Sequence, residues 1–399
     1  MNISKKILLL GISTVAIATS VAAQQELNAG LTTNEIVFGR AASFSGPEQM
    51  LGKQMRIGFE SQFRQLNDDG GVFGRKIKML EYDDAGKEAK TAEGAEILFK
   101  KYSVFALLGT TGAKSTKAVI PLINKYKIPL IGPYSGDISV SQDFNKYVFS
   151  VQANYLDQIK ALAEHAGQSG VKTIAIIQDD VGDARLAQIA VDEFKKRGVM
   201  AVVAEGIDSR STPEGVKVSI DRIVAKSPQS VIAVGTSTKT ASALSNLAAV
   251  LPGIQIFAIP TKDTISFAKE MGEMSYGVVT AQVTPLPFKG STELVSEYKS
   301  VLTKYYPKEP ITFVGLQAFA TAKVITEALK KSGSAPTREK FISALESLKT
   351  YDVGGFVVNY SPTQHAGSQF VEVVMIGKSS GKETPKNWLE GPTFEGFVN

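Results

Sequence analysis

Val104-Phe-Ala-Leu-Leu-Gly109, Thr110-Thr-Gly-Ala-Lys-Ser115, and Lys127-Ile-Pro-Leu-Ile-Gly132 with Pro133-Tyr-Ser-Gly-Asp137 read as one unit. Two apolar runs of strand length, each closed by Gly, flank an apolar-periodic segment that reaches Tyr126. Strands that are apolar throughout, without alternation, are covered on both faces, so the unit reads as a buried parallel βαβ. Each strand empties into a loop rich in Gly, Ser and Thr. In open α/β sheets, ligands sit in the crevice beyond the carboxyl ends of the strands. Thr110 to Ala113 and Tyr134 to Gly136 are therefore expected to be neighbouring loops facing one site. They offer hydroxyls, bare backbone N–H groups and one aromatic face, which suit holding a small molecule better than reacting with it.

The same alternation extends both ways. Upstream, Glu35 to Ala42 is a strand, and Ser43-Phe-Ser-Gly-Pro47 is a turn whose Pro opens a helix. Leu51, Met55, Phe59, Phe63 and Leu66 give that helix one apolar face. Gly70-Gly-Val-Phe-Gly74 stops it, Lys76 to Asp84 is a second strand, and Lys87 to Tyr102 is a second helix. Downstream, Tyr147 to Gln152 crosses to a new block with strands at 173–178, 200–207, 230–235, 254–259 and 277–283 and helices between the first four. This second run predicts a second parallel-sheet lobe, repeating the architecture of the first without repeating its residues. Helices are expected at 292–306, 312–332 and 337–349. The segments 354–360 and 370–376 are expected to pair as late strands, and 377–399 to form a Gly/Pro-rich surface tail.

The composition agrees with two lobes. A chain of 399 residues exceeds one ordinary core, and 43% apolar with 21% charged residues is normal for a globular protein. The net charge of +5 includes Lys5 and Lys6, and the remaining charges are interspersed, which implies neither a nucleic-acid nor a membrane-surface partner. Lys5-Lys6, the interrupted apolar run Ile7 to Val21, and Val21-Ala-Ala23 before Gln24 read as a secretory signal peptide cleaved after Ala23. The run is too short and broken for a membrane anchor. With no Cys there is neither a lipid-anchor cysteine nor a disulfide. An exported, unanchored monomer in the periplasm is the expectation.

The order of motifs resembles the type I periplasmic solute-binding proteins of ABC transporters, branched-chain amino acid binding group. The resemblance rests on Phe44-Ser-Gly-Pro47, Leu66-Asn-X-X-Gly-Gly-Val-Phe-Gly-Arg75, Tyr82-Asp-Asp84 and Gly109-X-X-Gly. It continues in Ile128-Pro-Leu-Ile-Gly-Pro133, Phe313-Val-Gly-Leu-Gln317, Gly354-Gly-Phe356, Ser361-Pro362 and His365-X-Gly-Ser368, and covers about Glu35 to Ile376. It implies two Rossmann-like lobes joined by three crossovers, with ligand buried in the cleft and the lobes closing by hinge motion. The expected division is 1–23 signal peptide, 35–150 plus 284–351 first lobe, 151–283 plus 352–380 second lobe, and 381–399 tail. The implied partners are a small-molecule solute and an ABC transporter permease.

Three positions depart from the family. Ala113 stands where relatives place a serine for the ligand carboxylate, and Val181-Gly182 where many carry Tyr-Gly. Pro260-Thr-Lys262 occupies the region where amino-acid binders put an acidic group for the α-amine. A Lys has the wrong sign for an amine and the right sign for an acid. The expected ligand is therefore an aromatic or short organic acid, or a polar amide, and not a plain branched-chain amino acid.

Candidate ligand contacts are Ser43, Ser45, Thr111, Gly112, Ala113, Tyr134 and Ser135 from the first lobe, with Tyr155, Thr236, Lys262, Gln282 and Gln317 completing the set. Asp83-Asp84 reads as backbone-capping and not as a catalytic pair. Asp179-Asp180 with Asp183 lacks the spacing of a calcium loop, and His165 and His365 lack partners for a zinc site or a catalytic triad. Gly109-Thr-Thr-Gly112 lacks a P-loop ending, and no Gly-X-Ser-X-Gly elbow is present. No cofactor is implied. A rival reading is a sensor docking on a histidine kinase or chemoreceptor; a two-lobed periplasmic hydrolase is a further alternative.

Overall fold

A computed structural model describes residues 30–179, 183–288, 292–378 and 393–396. Signal-peptide residues 1–23 and the Val181-Gly182 departure lie outside the described residues.

The first lobe is built on a five-stranded parallel sheet. Its strands are β1 (Glu35–Ala42), β2 (Lys76–Asp83), β3 (Leu107–Leu108), β4 (Leu130–Ile131) and β5 (Val148–Phe149), in spatial order β2-β1-β3-β4-β5. Helices α1 (Gln49–Asp68), α2 (Glu88–Lys100), α3 (Ala113–Tyr126) and the short α4 (Ile138–Ser141) follow the first four strands. One face of the sheet buries Phe38, Phe59, Phe63 and Phe105; the other buries Ala41, Leu98, Leu107, Val119 and Ile123. Strands covered on both sides have no polar face to show, which is why the runs at 104–109 and 128–132 are apolar throughout.

The second lobe repeats the winding. Its strands are β6 (Thr173–Gln178), β7 (Met200–Gly206), β8 (Ser230–Val234), β9 (Gln255–Ile259) and β10 (Val279–Gln282). They run parallel in the order β7-β6-β8-β9-β10. Helices α5 (Tyr155–Gln168), α6 (Leu186–Lys196), α7 (Pro213–Ala225), α8 (Thr238–Val250) and α9 (Thr264–Met271) cover its faces. In each lobe the order therefore reverses between the first and third strands, at β1/β3 and β6/β8, and such a switch point opens a crevice.

The chain then returns to the first lobe. Helix α10 (Glu293–Tyr305), α11 (Phe313–Lys331) and α12 (Arg338–Glu346) follow, and Tyr298, Phe319 and Phe341 join the core of Phe38 and Phe105. Gly58 of α1 and Gly315 of α11 face each other so closely that a methyl group on Gly58 would collide with the Gly315 carbonyl.

Three expectations about the late chain are corrected. Segments 354–360 and 370–376 do not pair. Instead β11 (Tyr351–Asp352) pairs antiparallel with β12 (Val357–Val358), because Gly354 and Gly355, at φ 107° and 88°, turn the chain sharply. The Asp352 carboxylate accepts both glycine N–H groups at 2.9 and 2.6 Å. Second, Val353, Phe356, Val358 and Tyr360 pack in the first lobe's core, so the return to the second lobe falls well after 352. Third, β13 (Glu372–Gly377) runs antiparallel to β10, and β14 (Thr393–Gly396) adds to its far edge, so 393–396 extends the sheet and is not a free tail.

The first and third crossovers are stitched together at Ser150. Its N–H donates to the His365 carbonyl at 2.9 Å; its own carbonyl accepts from Gly367 N–H at 2.8 Å and from the Tyr360 hydroxyl at 2.9 Å. The His365 ring stacks on Phe149 with centroids 3.7 Å apart. No helix among the described residues is long and apolar enough to cross a membrane.

Candidate functional site

One cavity lies where the lobes meet, beyond the ends of β4, β5, β9 and β10. From the first lobe and the first crossover, Tyr134, Gly136 and Gln152 line it. From the second lobe come Tyr155 and Gln158 of α5, Pro260, Thr264 at the start of α9, and Ala281, Gln282 and Val283 at the end of β10. The closed hollow is narrow, with about 20 Å³ open to a water-sized guest. Two phenols and four neutral hydrogen-bonding side chains line it, the kind of polar groups that fix a small molecule's orientation.

Local sequence fixes each piece. Tyr134 leaves β4 through Pro133; its N–H donates to the Thr110 carbonyl at 2.9 Å, while Gly112 N–H donates to the Tyr134 carbonyl at 3.0 Å. The loops after β3 and β4 are thereby held side by side. Gly112 has φ 81°, a left-handed value that favours Gly, and no side chain caps α3. Tyr155 opens α5 behind a capping box. Asn154 Oδ1 accepts from Asp157 N–H at 3.1 Å, and Asp157 Oδ2 accepts from Asn154 N–H at 3.3 Å. Gln158 lies one turn on, beside Tyr155. Thr264 opens α9, which Asp263 caps by accepting from Ser266 N–H at 2.9 Å. Gln282 is pinned: its Nε2 donates to Thr264 Oγ1 at 3.1 Å and to Thr280 Oγ1 at 3.0 Å.

The lobes touch at the cavity's edge. Tyr155 N–H donates to the Gly136 carbonyl at 2.7 Å, and Ile138 of the first lobe inserts into the second lobe's core beside Tyr155 and Ile159. Burial pushes both tyrosine hydroxyls well above their ordinary range. The charge of Asp263 adds to this at Tyr134, and Tyr134, Asp137 and Glu48 add to it at Tyr155. Both are therefore neutral hydrogen-bonding groups at physiological pH and poor nucleophiles.

Of the ligand contacts expected from the sequence, Tyr134, Tyr155 and Gln282 line the cavity. Ser43 and Thr111 do not line it and are held in a buried network. The Ser43 hydroxyl donates to Asp84 Oδ1 at 2.9 Å and lies 3.0 Å from Thr111 Oγ1; Asp84 Oδ2 accepts from Thr91 Oγ1 at 2.9 Å. These hydroxyls shape the loops. Gly112 and Ala113 form the start of α3 above that network. Ser45 is an exposed turn residue whose N–H donates to Asp83 Oδ1 at 3.1 Å. Ser135 is buried and accepts from Asp137 N–H at 3.2 Å. Thr236 is fully buried and exchanges two 3.2 Å hydrogen bonds with Thr261, tying the loops after β8 and β9. Gln317 reaches the cavity only through Gln152, to which it donates.

Lys262 is where the expectation changes most. Its ammonium is ion-paired with Glu270 of its own lobe. A lysine already committed to a carboxylate is no reason to expect an acidic ligand. Asp83 and Asp84 do serve the backbone, as expected. Asp83 Oδ1 takes the N–H groups of Phe44, Ser45 and Ala85 at 2.9, 3.1 and 3.0 Å, and Asp84 Oδ1 that of Gly86 at 2.8 Å. Burial works against the Asp83 carboxylate, but the Ser45 side chain and these backbone donors hold it at about 2.

Sequence reading did not single out Gln152, Gln158 or Thr264. Gln158 carried a usable signal, three residues after Tyr155 at a helix start; Gln152 and Thr264 carried none. Among the described residues no cluster of His, Asp or Glu is arranged to hold a metal.

The comparisons agree with this geometry. Residues 35–382 match the family model described as periplasmic binding protein. A Leu/Ile/Val-binding protein homologue of Brucella abortus is 26% identical over 343 residues, covering 79% of this chain and 82% of that protein. An amino acid binding protein of Pseudomonas aeruginosa is 25% identical over 209 residues; that match spans about half of each chain, 51% and 54%. Among solved structures, a substrate-binding periplasmic protein from Ralstonia solanacearum superposes with a TM-score of 0.76 at 23% identity. It covers 86% of this chain and 98% of its own. A leucine binding protein from Thermotoga maritima gives 0.76 at 17% identity, covering 91% and 97%. With two doubly wound lobes, a cavity between them and a family match over nearly the whole described chain, this protein belongs to the type I periplasmic binding proteins, of the Leu/Ile/Val-binding kind.

Proposed function

We propose that this chain is an exported receptor, freed of residues 1–23 in the periplasm, that captures a small polar solute between its lobes and delivers it to an ABC transporter permease. The observation that carries the reading is the cavity itself. Tyr134 and Tyr155 face it from opposite lobes, and Gln152, Gln158, Gln282 and Thr264 supply neutral hydrogen-bonding groups around it. Ligand docks first on the first-lobe loops, and closure adds the second-lobe side chains. Only contacts made better in the closed form shift the population toward it. Similar folds are described as a leucine binding protein and as a fatty acid ABC transporter substrate-binding protein, so the architecture leaves the ligand to the lining residues.

The hydrolase alternative draws no support from the lining, where the only hydroxyls besides Thr264 are two phenols whose pKa values are pushed up. The test is a thermal-shift screen of periplasm-sized solutes followed by calorimetry, since a ligand that binds only the native state raises the melting temperature. Tyr134→Ala should weaken binding of a hit by about tenfold or more at an unchanged fold. Steady turnover of a hit would reject the receptor reading. Stimulation of the cognate transporter's ATPase by the loaded protein separates delivery from sensing.

A further inference from the structure

Among the described residues, the largest side chain buried completely is a charged one. Arg40 sits in β1 with no exposed surface, two residues after the buried Phe38. Its guanidinium reaches three strands of the first sheet. Nε donates to the Gly109 carbonyl just beyond β3 at 3.3 Å, and Nη1 donates to the Gly52 carbonyl in the first turn of α1 at 3.1 Å. Nη1 also lies 3.2 Å from Glu81 Oε1 of β2. Phe44, in the loop after β1, is held by two cations. The guanidinium carbon of Arg40 is 5.0 Å from its ring centre and that of Arg56 is 4.0 Å away. Arg56 Nη2 donates to the other Glu81 oxygen at 2.5 Å.

This is a poor way to stabilise a lobe. Two guanidinium groups share one carboxylate, and Arg40 Nη2 has no hydrogen-bond partner among the described residues. A charge taken out of water is costly, and well-packed apolar side chains often serve stability as well or better. Such departures from the local rule concentrate where function requires them. What the fork secures is position. Gly109 is followed by Thr110, whose carbonyl accepts the Tyr134 N–H at 2.9 Å, and Gly112 N–H donates back to the Tyr134 carbonyl at 3.0 Å. Arg40 therefore stands one residue away from the bonds that seat a cavity phenol. A lysine would bring the charge as a single point, without the planar fork that holds two carbonyls at fixed angles.

We propose that Arg40 is the positioning residue of the first-lobe docking surface. Its fork holds the loops after β1 and β3 in register and so sets where Tyr134 stands in the cavity. Arg40 itself touches no solute. The assignment rests on the receptor reading for its purpose: loops set in advance lose less freedom when a guest first docks.

Native-state hydrogen exchange, read by mass spectrometry on the mature chain, tests this without a ligand. The wild type is compared with Arg40→Met and Arg40→Lys, alongside their melting temperatures. In Arg40→Met the amides of 107–116 and 130–137 should exchange about tenfold faster or more, while those of β6 and β8 keep their wild-type rates and the melting temperature changes little. Arg40→Lys should fall between, and it carries the test if Arg40→Met does not fold. Unchanged exchange in both loops overturns the proposal. So does an acceleration that reaches the second lobe equally, or a chain that folds with neither substitution, since either makes Arg40 a general stabiliser. Calorimetry with L-leucine, L-phenylalanine and benzamide forms a second arm. A probe that binds the wild type should bind Arg40→Met about tenfold more weakly, yet adding Arg40→Met to Tyr134→Ala should cost nothing further, because the effect runs through Tyr134. Losses that simply add overturn that route. Silence from all three probes bears on the receptor reading alone, and the exchange result still decides the role of Arg40.

Discussion

Gly136→Ala should loosen the closed form without unfolding either lobe. The added methyl would meet Cδ1 and Cε1 of Tyr155 at 2.5 Å each and Cγ at 3.1 Å. Ordinary carbon contacts begin about 3.5 Å apart, so roughly 1 Å must be found. The Gly136 backbone is not left-handed, so Ala is tolerated locally and the clash acts across the lobe junction. The Tyr155 ring cannot easily retreat, since the residue is 5% exposed and its N–H is bound to the Gly136 carbonyl at 2.7 Å. Overpacking of a filled site costs about 1–3 kcal/mol, and losing the hydrogen bond would add about 0.5–1.5.

A closed state disfavoured by about 1–3 kcal/mol weakens a ligand that needs closure by roughly 5- to 150-fold, with about tenfold per 1.4 kcal/mol. Calorimetry on a screened hit reads the affinity, and small-angle scattering of the free protein should show a larger radius of gyration. Gly206→Ala is the control, because nothing lies within 4 Å of its added methyl and its backbone is likewise not left-handed. An unchanged dissociation constant and radius for Gly136→Ala would refute the claim that this contact limits closure.

Three further outcomes are expected. Asp84→Ala removes the charged acceptor of the Ser43 and Thr91 hydroxyls and of Gly86 N–H, leaving the two hydroxyls only neutral partners. It should cost about 2–4 kcal/mol in urea unfolding, and a loss under about 1 kcal/mol would show the network to be dispensable. Burial, acting against help from the Asn145 carbonyl and Glu346, holds the His365 imidazole below its ordinary range, so the unfolded chain binds its proton more readily. Stability tied to His365 is therefore lost as pH falls below about 6.5, and His365→Gln should flatten that slope in thermal melts between about pH 7 and 5. Gln282→Leu removes a cavity-wall amide of the second lobe, so it should raise the ligand's dissociation rate by about 2- to 10-fold with little change in association. A change confined to association would place Gln282 in first docking instead.

The fold was legible where local chemistry is strong. Strand β1 matches its expected bounds because its buried run ends at Ser43 in a Gly-Pro turn. Both Gly-closed apolar runs of the opening stretch are parallel neighbours in the first sheet. The late chain misled because pairing there is decided at a distance. Segment 370–376 reads as a strand equally well beside 354–360 or beside β10, and only the second lobe's open sheet edge settles it. The site divides along the same line. Tyr134 and Tyr155 are visible in the sequence because they sit immediately after a strand and at a crossover. Ser43, Thr111 and Thr236 looked equally good, yet a hydroxyl in a loop is as often consumed by its neighbours as offered to a guest. Gln152, Gln158 and Thr264 become cavity residues only when the lobes meet, and that meeting depends on Ile138 reaching into the second lobe's core.

The two lobes share one winding but not one chemistry, and the difference orders the events of capture. In the second lobe the helix starts near the cleft are closed by their own side chains. Ser237 caps α8, Asp263 caps α9, and the buried Asp179 takes the Ser237 N–H at 2.7 Å and the Thr240 hydroxyl at 2.6 Å. In the first lobe α3 begins at Gly112 with no side-chain cap. Helix dipoles and unspent N–H groups therefore favour the first lobe as the surface for initial docking. The second lobe has turned its backbone donors inward and presents side chains: the Tyr155 phenol and the amides of Gln158 and Gln282. Those contacts exist only once the lobes have come together, so they act on closure and on how long the guest stays.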